Sequence, residues 1–307
     1  MTSGALDFSR VDTSDVALIF EGGGMRASYS AGAVVELIRN RIDFPVVYGI
    51  SAGTSHSVNY LSRDAVRAKQ SFVDLVDIDN FGGWKTFLQG KGYFNASFLY
   101  EGLVAELDGT DHPLSFDWDA FVANPGDVHI EAFDVNTGET VAWMKHDMPT
   151  VRDMMLRVRA SSSMPVFMPH TIIDGRELAD GGLGCSWGIP LEAAKRDGFE
   201  RFFIVRTRPR DYRKKTMDAK AQALLRAGLA TSPRVADRII QRPPHYNALC
   251  DEIERLEQAG KAYVFYANDV AVSSRETDRA ALEASFSAGH DQALSELAAW
   301  HAFLAGA

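Results

Sequence analysis

The chain has 307 residues, 46% of them hydrophobic and 24% charged, and a formal net charge of -9. That length can bury one large core. The acidic surface argues against a nucleic-acid partner and gives no long-range attraction to anionic membranes, leaving only transient local contact with a membrane surface. Cys185 and Cys250 lack Cys-x-x-Cys or His-pair spacing, so neither a disulfide framework nor a metal site is expected. Residues 1–15 read as a polar, acidic tail without a basic region leading into an apolar one, and no apolar run approaches the roughly 20 residues of a membrane-spanning helix. A soluble, cytoplasmic protein is the expectation.

Val16-Ala-Leu-Ile-Phe20 is a continuous apolar run ending in glycines, the pattern of a strand buried on both faces. A helical pattern follows from Ala27, with Ala31, Val34, Val35 and Ile38 on one side. Pro45 introduces a second short strand, Val46 to Ile50, and another helix runs from Ala52 to Leu61. Strand, turn, helix, repeated, predicts a parallel sheet with right-handed crossovers. Arg67 to Trp118 holds helical stretches at Phe72–Val76 and Phe98–Leu107 broken by glycines, and reads as a lid or an inserted helical layer. Val128–Phe133 and Glu139–Trp143 predict a hairpin, and Val151–Ala160 a helix. Thr171–Ile173 and Glu177-Leu178 flank Asp174-Gly175, a strong two-residue hairpin signal. Phe202–Val205 is another buried strand, and beyond Thr216 the chain reads as helical except for the strand Ala262–Tyr266.

Gly49-Ile-Ser51-Ala-Gly53 fits G-x-S-x-G where a strand hands over to a helix. A serine on so sharp a turn needs strained backbone angles, flanking glycines make room for it, and the helix N-terminus favours developing negative charge. Gly22-Gly23-Gly24 follows a buried strand, so its amides can form a nest for an anion, a phosphate or a transient oxyanion. The same run satisfies G-x-G-x-x-A with Asp43 downstream, a dinucleotide fingerprint. Asp43, however, precedes the second strand instead of ending it, and the Ser51 turn occupies the place a cofactor ribose would need. No cofactor is expected. None of the eight histidines stands in a motif that marks a catalytic base; His56 is placed facing away from Ser51, and His170 and His245 on loops. A buried carboxylate can replace the histidine, and Asp180, followed by Gly181 and Gly182, is the best candidate.

Three ordered blocks, Gly22-Gly-Gly-Met25-Arg26, Gly49-Ile-Ser-Ala-Gly53 and Asp180-Gly-Gly182, resemble the patatin-like phospholipase family in its small, soluble bacterial branch. Ala160-Ser-Ser-Ser-Met-Pro165 and Asp174–Asp180 add to the likeness, which spans about Val16 to Arg210. The resemblance implies a three-layer α/β/α fold with a mainly parallel sheet. It implies a catalytic domain over residues 16–215, with residues 216–307 as a helical extension packed on it. It further implies a Ser51–Asp180 dyad, an oxyanion held by the Gly23, Gly24 and Met25 amides, and Arg26 steadying that loop or the oxyanion. Ala27 departs from the family's frequent glycine. The activity implied is hydrolysis of lipid carboxylic esters without a metal. An acyltransferase on the same dyad and a silent lipid-binding regulator are the alternatives, and the oligomeric state stays open. The basic run Arg206–Lys215 is expected as a solvated loop, with contact to a lipid headgroup as the sharper reading. Phe81, Trp84, Phe87, Tyr93 and Phe94, with Met164, Phe167 and Met168, are expected either to line an acyl channel or to form a core under a loop.

Overall fold

The computed structural model describes residues 7–269 and 271–306. Its strands are β1 (Val16–Phe20), β2 (Val46–Gly49), β3 (Asp127–Asp134), β4 (Thr140–Trp143), β5 (Thr171–Ile173), β6 (Arg176–Asp180), β7 (Arg201–Val205) and β8 (Ala262–Phe265). The helices are α1 (Ala27–Arg39), α2 (Ala52–Leu61), α3 (Ala65–Gln70), α4 (Trp84–Leu88), α5 (Leu103–Leu107), α6 (Trp118–Ala123) and α7 (Val151–Ser162). They continue with α8 (Leu191–Arg196), α9 (Ala219–Gly228), α10 (Pro233–Gln258) and α11 (Arg279–Leu304).

All eight strands join one sheet, paired along the path β5-β6-β3-β2-β1-β7-β8, with β4 also on β3. The pairings from β3 through β8 are parallel, and those involving β4, β5 and β6 are antiparallel. The central strands are apolar throughout because both faces are covered. In β1, Val16, Leu18 and Phe20 enter one core while Ala17 and Ile19 enter the other; in β7, Phe203 and Val205 divide from Phe202 and Ile204 in the same way. Helices α1, α2, α7 and α11 contribute to the first core, α8 and α10 to the second. The result is a three-layer α/β/α molecule.

Local chemistry sets the turns. Between β3 and β4, the Asp134 carboxylate accepts the amides of Asn136 and Thr137, both at 2.9 Å. Between β5 and β6, Asp174 and Gly175 both take positive φ, 51° and 77°, as a two-residue hairpin requires. Residues 65–123 form the expected irregular helical layer, in shorter pieces than the apolar pattern predicts. Phe72–Val76 gives only a 3-10 turn at Asp74–Asp77, and Phe98–Leu107 divides into a π turn at Phe98–Gly102 and α5.

The C-terminal region is joined to the rest by backbone contact. Helices α1 and α11 cross where Gly32 faces the main chain of Gly289 and His290, and Gly289 faces the Tyr29 carbonyl; a methyl group at either glycine would overlap the opposite main chain. Trp300 of α11 is fully buried against Phe203 and Phe265.

Candidate active site

Ser51 stands between β2 and α2 at φ 56° and ψ -126°, a conformation that residues with a side chain rarely adopt. The glycines around it are sterically required. A methyl on Gly49 would overlap the Gly53 carbonyl and Ser57 Oγ, and one on Gly53 would overlap the Phe20 carbonyl. The turn is pinned from α7: the Ser51 amide donates to Ser161 Oγ at 3.0 Å, and Ser161 Oγ also bonds Thr54 Oγ1 at 3.0 Å.

Strand register brings Asp180 to the same place. Ile130 of β3 pairs with both Gly49 and Trp143, and Ala132 with both Asp180 and Val141. Strand β4 therefore occupies one edge of β3, while β2 and β6 share the other, running toward each other. They end at Gly49 and Asp180, opposite β3 residues two apart and therefore on one face of the sheet. The Asp180 amide donates to the Ser163 carbonyl at 2.9 Å, so the serine triplet at the end of α7 holds both strand ends. Gly181 lies so close to the Glu131 carbonyl that no side chain fits, and the Gly182 amide donates to the Asp180 carboxyl at 2.8 Å. The Ser51 side chain adjoins the same carboxyl, the two lining one polar cavity. Burial lifts the Asp180 carboxyl above the ordinary aspartate range, against the opposing pull of Arg242, Ser51, the Gly182 amide and Lys214.

The glycine loop abuts the serine. A methyl on Gly22 would come within 2.9 Å of the Ile50 carbonyl and 3.1 Å of Ser51 Cβ, and one on Gly23 within 2.7 Å of Thr207 Oγ1. Two of the expected donors are already engaged. The Gly22 amide bonds the Gly188 carbonyl and the Met25 amide the Ser274 carbonyl, each at 3.1 Å. Met25 is thus removed from the expected oxyanion set by a residue far away in sequence. No protein acceptor meets the amides of Gly23 and Gly24 among the described residues, which leaves these two as the loop's open donors.

Two cavities meet at Ser51. One is apolar and includes Met25, Phe72, Phe81, Phe94, Met155 and Met168. Of the aromatics singled out in the sequence, Phe81 and Phe94 line this cavity; Phe87 and Tyr93 pack around it, and Trp84 is 60% exposed. The other cavity is polar and contains Asp180, Glu21, Arg26, Arg208, Lys214 and Arg242. The expectation of a solvated loop at Arg206–Lys215 fails here. Arg206 is buried, donating to Glu21 Oε2 at 2.7 Å, and Tyr246 of α10 donates to Glu21 Oε1 at 2.5 Å. Burial alone would raise the Glu21 carboxyl, but Arg206, Tyr246 and the Thr207 amide outweigh it and hold it below its usual value. Arg210 and Arg213 pair with Glu257, Asp251 and Glu254, so only part of the run meets water unpaired.

His56 is packed within the core, bonding Ser30 Oγ at 2.9 Å and the Ala27 carbonyl at 3.1 Å, with Phe72 against its ring. Burial pushes it down to about 3, so it is neutral. His170 bonds Glu177, and His245 stacks on Trp187. Sequence reasoning missed Ser161 and Ser163 as holders of the site, and Arg242 as a wall of it. The serine triplet offered a signal, since three small polar residues end an otherwise amphipathic helix; Arg242 offered none.

The fold and this site define an α/β protein that sets a serine on a strand-to-helix turn at the junction of two cavities, beside a buried carboxylate. The chain belongs to the patatin-like phospholipase family, a family of lipid hydrolases, whose model matches residues 18–195. Residues 232–305 match a second model, a domain of unknown function (DUF6363). The uncharacterized protein YjjU of Escherichia coli (strain K12) is 25% identical over 203 residues, covering 63% of this chain and 52% of that protein. The chain thus spans about half the length of that relative. The crystal structure of VipD from Legionella pneumophila is similar with a TM-score of 0.47 and 14% identity, over 94% of this chain and 68% of that one. No helix among the described residues is long and apolar enough to cross a membrane.

Proposed function

We propose that the chain is a serine acyl hydrolase that cleaves carboxylic esters of lipids through Ser51 and Asp180. The observation that carries this is the Ser51 hydroxyl on a strained turn, sharing a cavity with a buried carboxylate and adjoining both the open amides of Gly23 and Gly24 and an apolar cavity. Asp180 takes the Ser51 proton as Oγ attacks the ester carbonyl, and the two amides receive the tetrahedral oxyanion. Collapse breaks the carbonyl–alkoxy bond, and the departing alcohol takes the proton from Asp180. Water then attacks the acyl-enzyme with Asp180 again as base, releasing the fatty acid and restoring the serine. The raised Asp180 carboxyl supports this role, because a stronger base accepts the proton with less uphill transfer.

A fluorophosphonate probe should label the wild-type chain at Ser51 and leave Ser51→Ala unlabelled. Turnover of p-nitrophenyl esters should fall about a thousandfold or more in Asp180→Asn. Near-normal turnover in that variant would remove Asp180 as the base.

A further inference from the structure

The polar cavity beside Ser51 carries more positive charge than the acyl-transfer chemistry uses. Arg26 comes from the glycine loop, Arg208 and Lys214 from the segment after β7, and Arg242 from α10. Among the described residues none of the four has a carboxylate within ion-pair distance, although the segment's neighbours Arg206, Arg210 and Arg213 all do. Nε of Arg26 and Nε of Arg208 are buried without a hydrogen-bond partner. The Arg208 guanidinium lies over the Tyr212 ring at 4.1 Å and the Lys214 ammonium over Tyr246 at 4.3 Å, so aromatic faces hold both cations in place. Arg242 donates to the Trp187 carbonyl at 3.2 Å and lies against Gly182 and Gly188, where a side chain would displace it. The nearby acids do not neutralise this set. Glu21 is paired with Arg206, leaving Asp180 alone against three guanidinium cations and the Lys214 amine.

We propose that this cavity takes the phosphate of the leaving alcohol, so that the substrate is a long-chain acyl ester whose alcohol carries a phosphomonoester. The proposal rests on the acyl-hydrolase reading above. Ser51, Gly24 and Met164 line both cavities, which puts the ester at their junction, its acyl chain on the apolar side and its alcohol on the basic side. The charge balance selects the class of anion. A phosphodiester brings one negative charge, whereas a phosphomonoester, with a second pKa of about 6, brings nearly two at neutral pH. A choline or ethanolamine headgroup would also set its own ammonium among the guanidinium cations of Arg26, Arg208 and Arg242. Lys214 adds a signature. Burial, with Arg242, Arg26 and Arg208 around it and Glu21 opposing them, pushes its ammonium down to about 7; a dianion at the cavity would raise it again and draw a proton from solution.

The test is calorimetric binding of the full chain to dodecyl ethers, which cannot be cleaved, below their micellar range. The ether of glycerol phosphate should bind about tenfold or more tightly than the ether of glycerol, with the phosphocholine ether near the neutral one. At pH 8 its binding should take up protons. The double variant Arg208→Gln, Lys214→Met should bring the preference to within about threefold and abolish the uptake, whereas Lys214→Arg should retain the preference. Equal binding of the phosphate and neutral ethers, or a preference unchanged in a double variant that melts cooperatively, overturns the proposal. Should the double variant not fold, Lys214→Met alone decides it by the proton uptake. Inorganic phosphate binding as tightly as the phosphate ether would assign the cavity to a free anion and overturn the leaving-group assignment. Fluorophosphonate labelling of Ser51 is read separately: labelling with equal ether binding sinks only the phosphate subsite, and absence of labelling sinks the hydrolase reading.

Discussion

Asp180 is a carboxylate kept where water does not solvate it, and that has a cost the fold must absorb. Its pKa is raised in the folded state, chiefly by burial, so the folded chain holds this proton to higher pH than the unfolded chain does. For such a group the favourable contribution is fully present below the unfolded carboxylate value of about 3.9 and is lost as pH rises through the folded value. At neutral pH the ionised Asp180 is therefore destabilising. Asp180→Asn keeps an oxygen to accept the Gly182 amide and removes the charge. Its melting temperature should exceed that of the wild type at pH 8, and the gap should narrow as pH falls toward 4. A gap that is constant with pH would show that Asp180 is not the source. Both Ser51 and Asp180 are legible in the sequence because each needs adjoining glycines, and glycine clusters stand out. The donors around them are less so. The Met25 amide is engaged by Ser274, and Arg242 arrives from α10, contacts that no local pattern encodes.

At the level of elements, the crossing of α1 and α11 depends on two glycines. Gly289→Ala places a methyl against the Tyr29 carbonyl, which is main chain inside a helix and cannot swing aside. The helices must separate, at a cost of about 1–3 kcal/mol in urea unfolding. Gly228→Ala, at the end of α9 with nothing near its would-be methyl, should change stability by less than about 1 kcal/mol. Equal effects at the two positions would mean that α1 and α11 do not cross so closely. The strands of the central sheet are readable as apolar runs because burial on both faces leaves little freedom of composition, and the Asp174-Gly175 hairpin because its positive φ angles demand those residues. Residues 65–123 are readable only as irregular. Their apolar side chains line a cavity and a loop core in place of one helix face, so the periodicity that marks a helix is broken by Gly82, Gly83, Gly90, Gly92 and Gly102.

Across the whole molecule, the family match to residues 18–195 covers the serine and the aspartate but not everything that supports them. Strand β8 adds to the sheet beside β7, α11 covers α1, and Tyr246 of α10 completes the buried Glu21–Arg206 pair behind the glycine loop. Removing one member of a buried charged network leaves the others unpaired in a low-dielectric interior, which costs far more than a surface ion pair. These contacts predict that the segment matching the family and the C-terminal helices unfold as one cooperative unit. A chain ending at Met217 should lack a cooperative thermal transition and should not react with a fluorophosphonate probe. Trp300→Ala, remote from Ser51 and buried against Phe203 and Phe265, tests the same coupling within the full chain. It should lower stability by about 3–5 kcal/mol, and during heating its loss of labelling at Ser51 should coincide with its loss of helical circular dichroism. If the chain ending at Met217 melts cooperatively and is labelled at Ser51, the C-terminal region is a separable domain and the sheet does not depend on it.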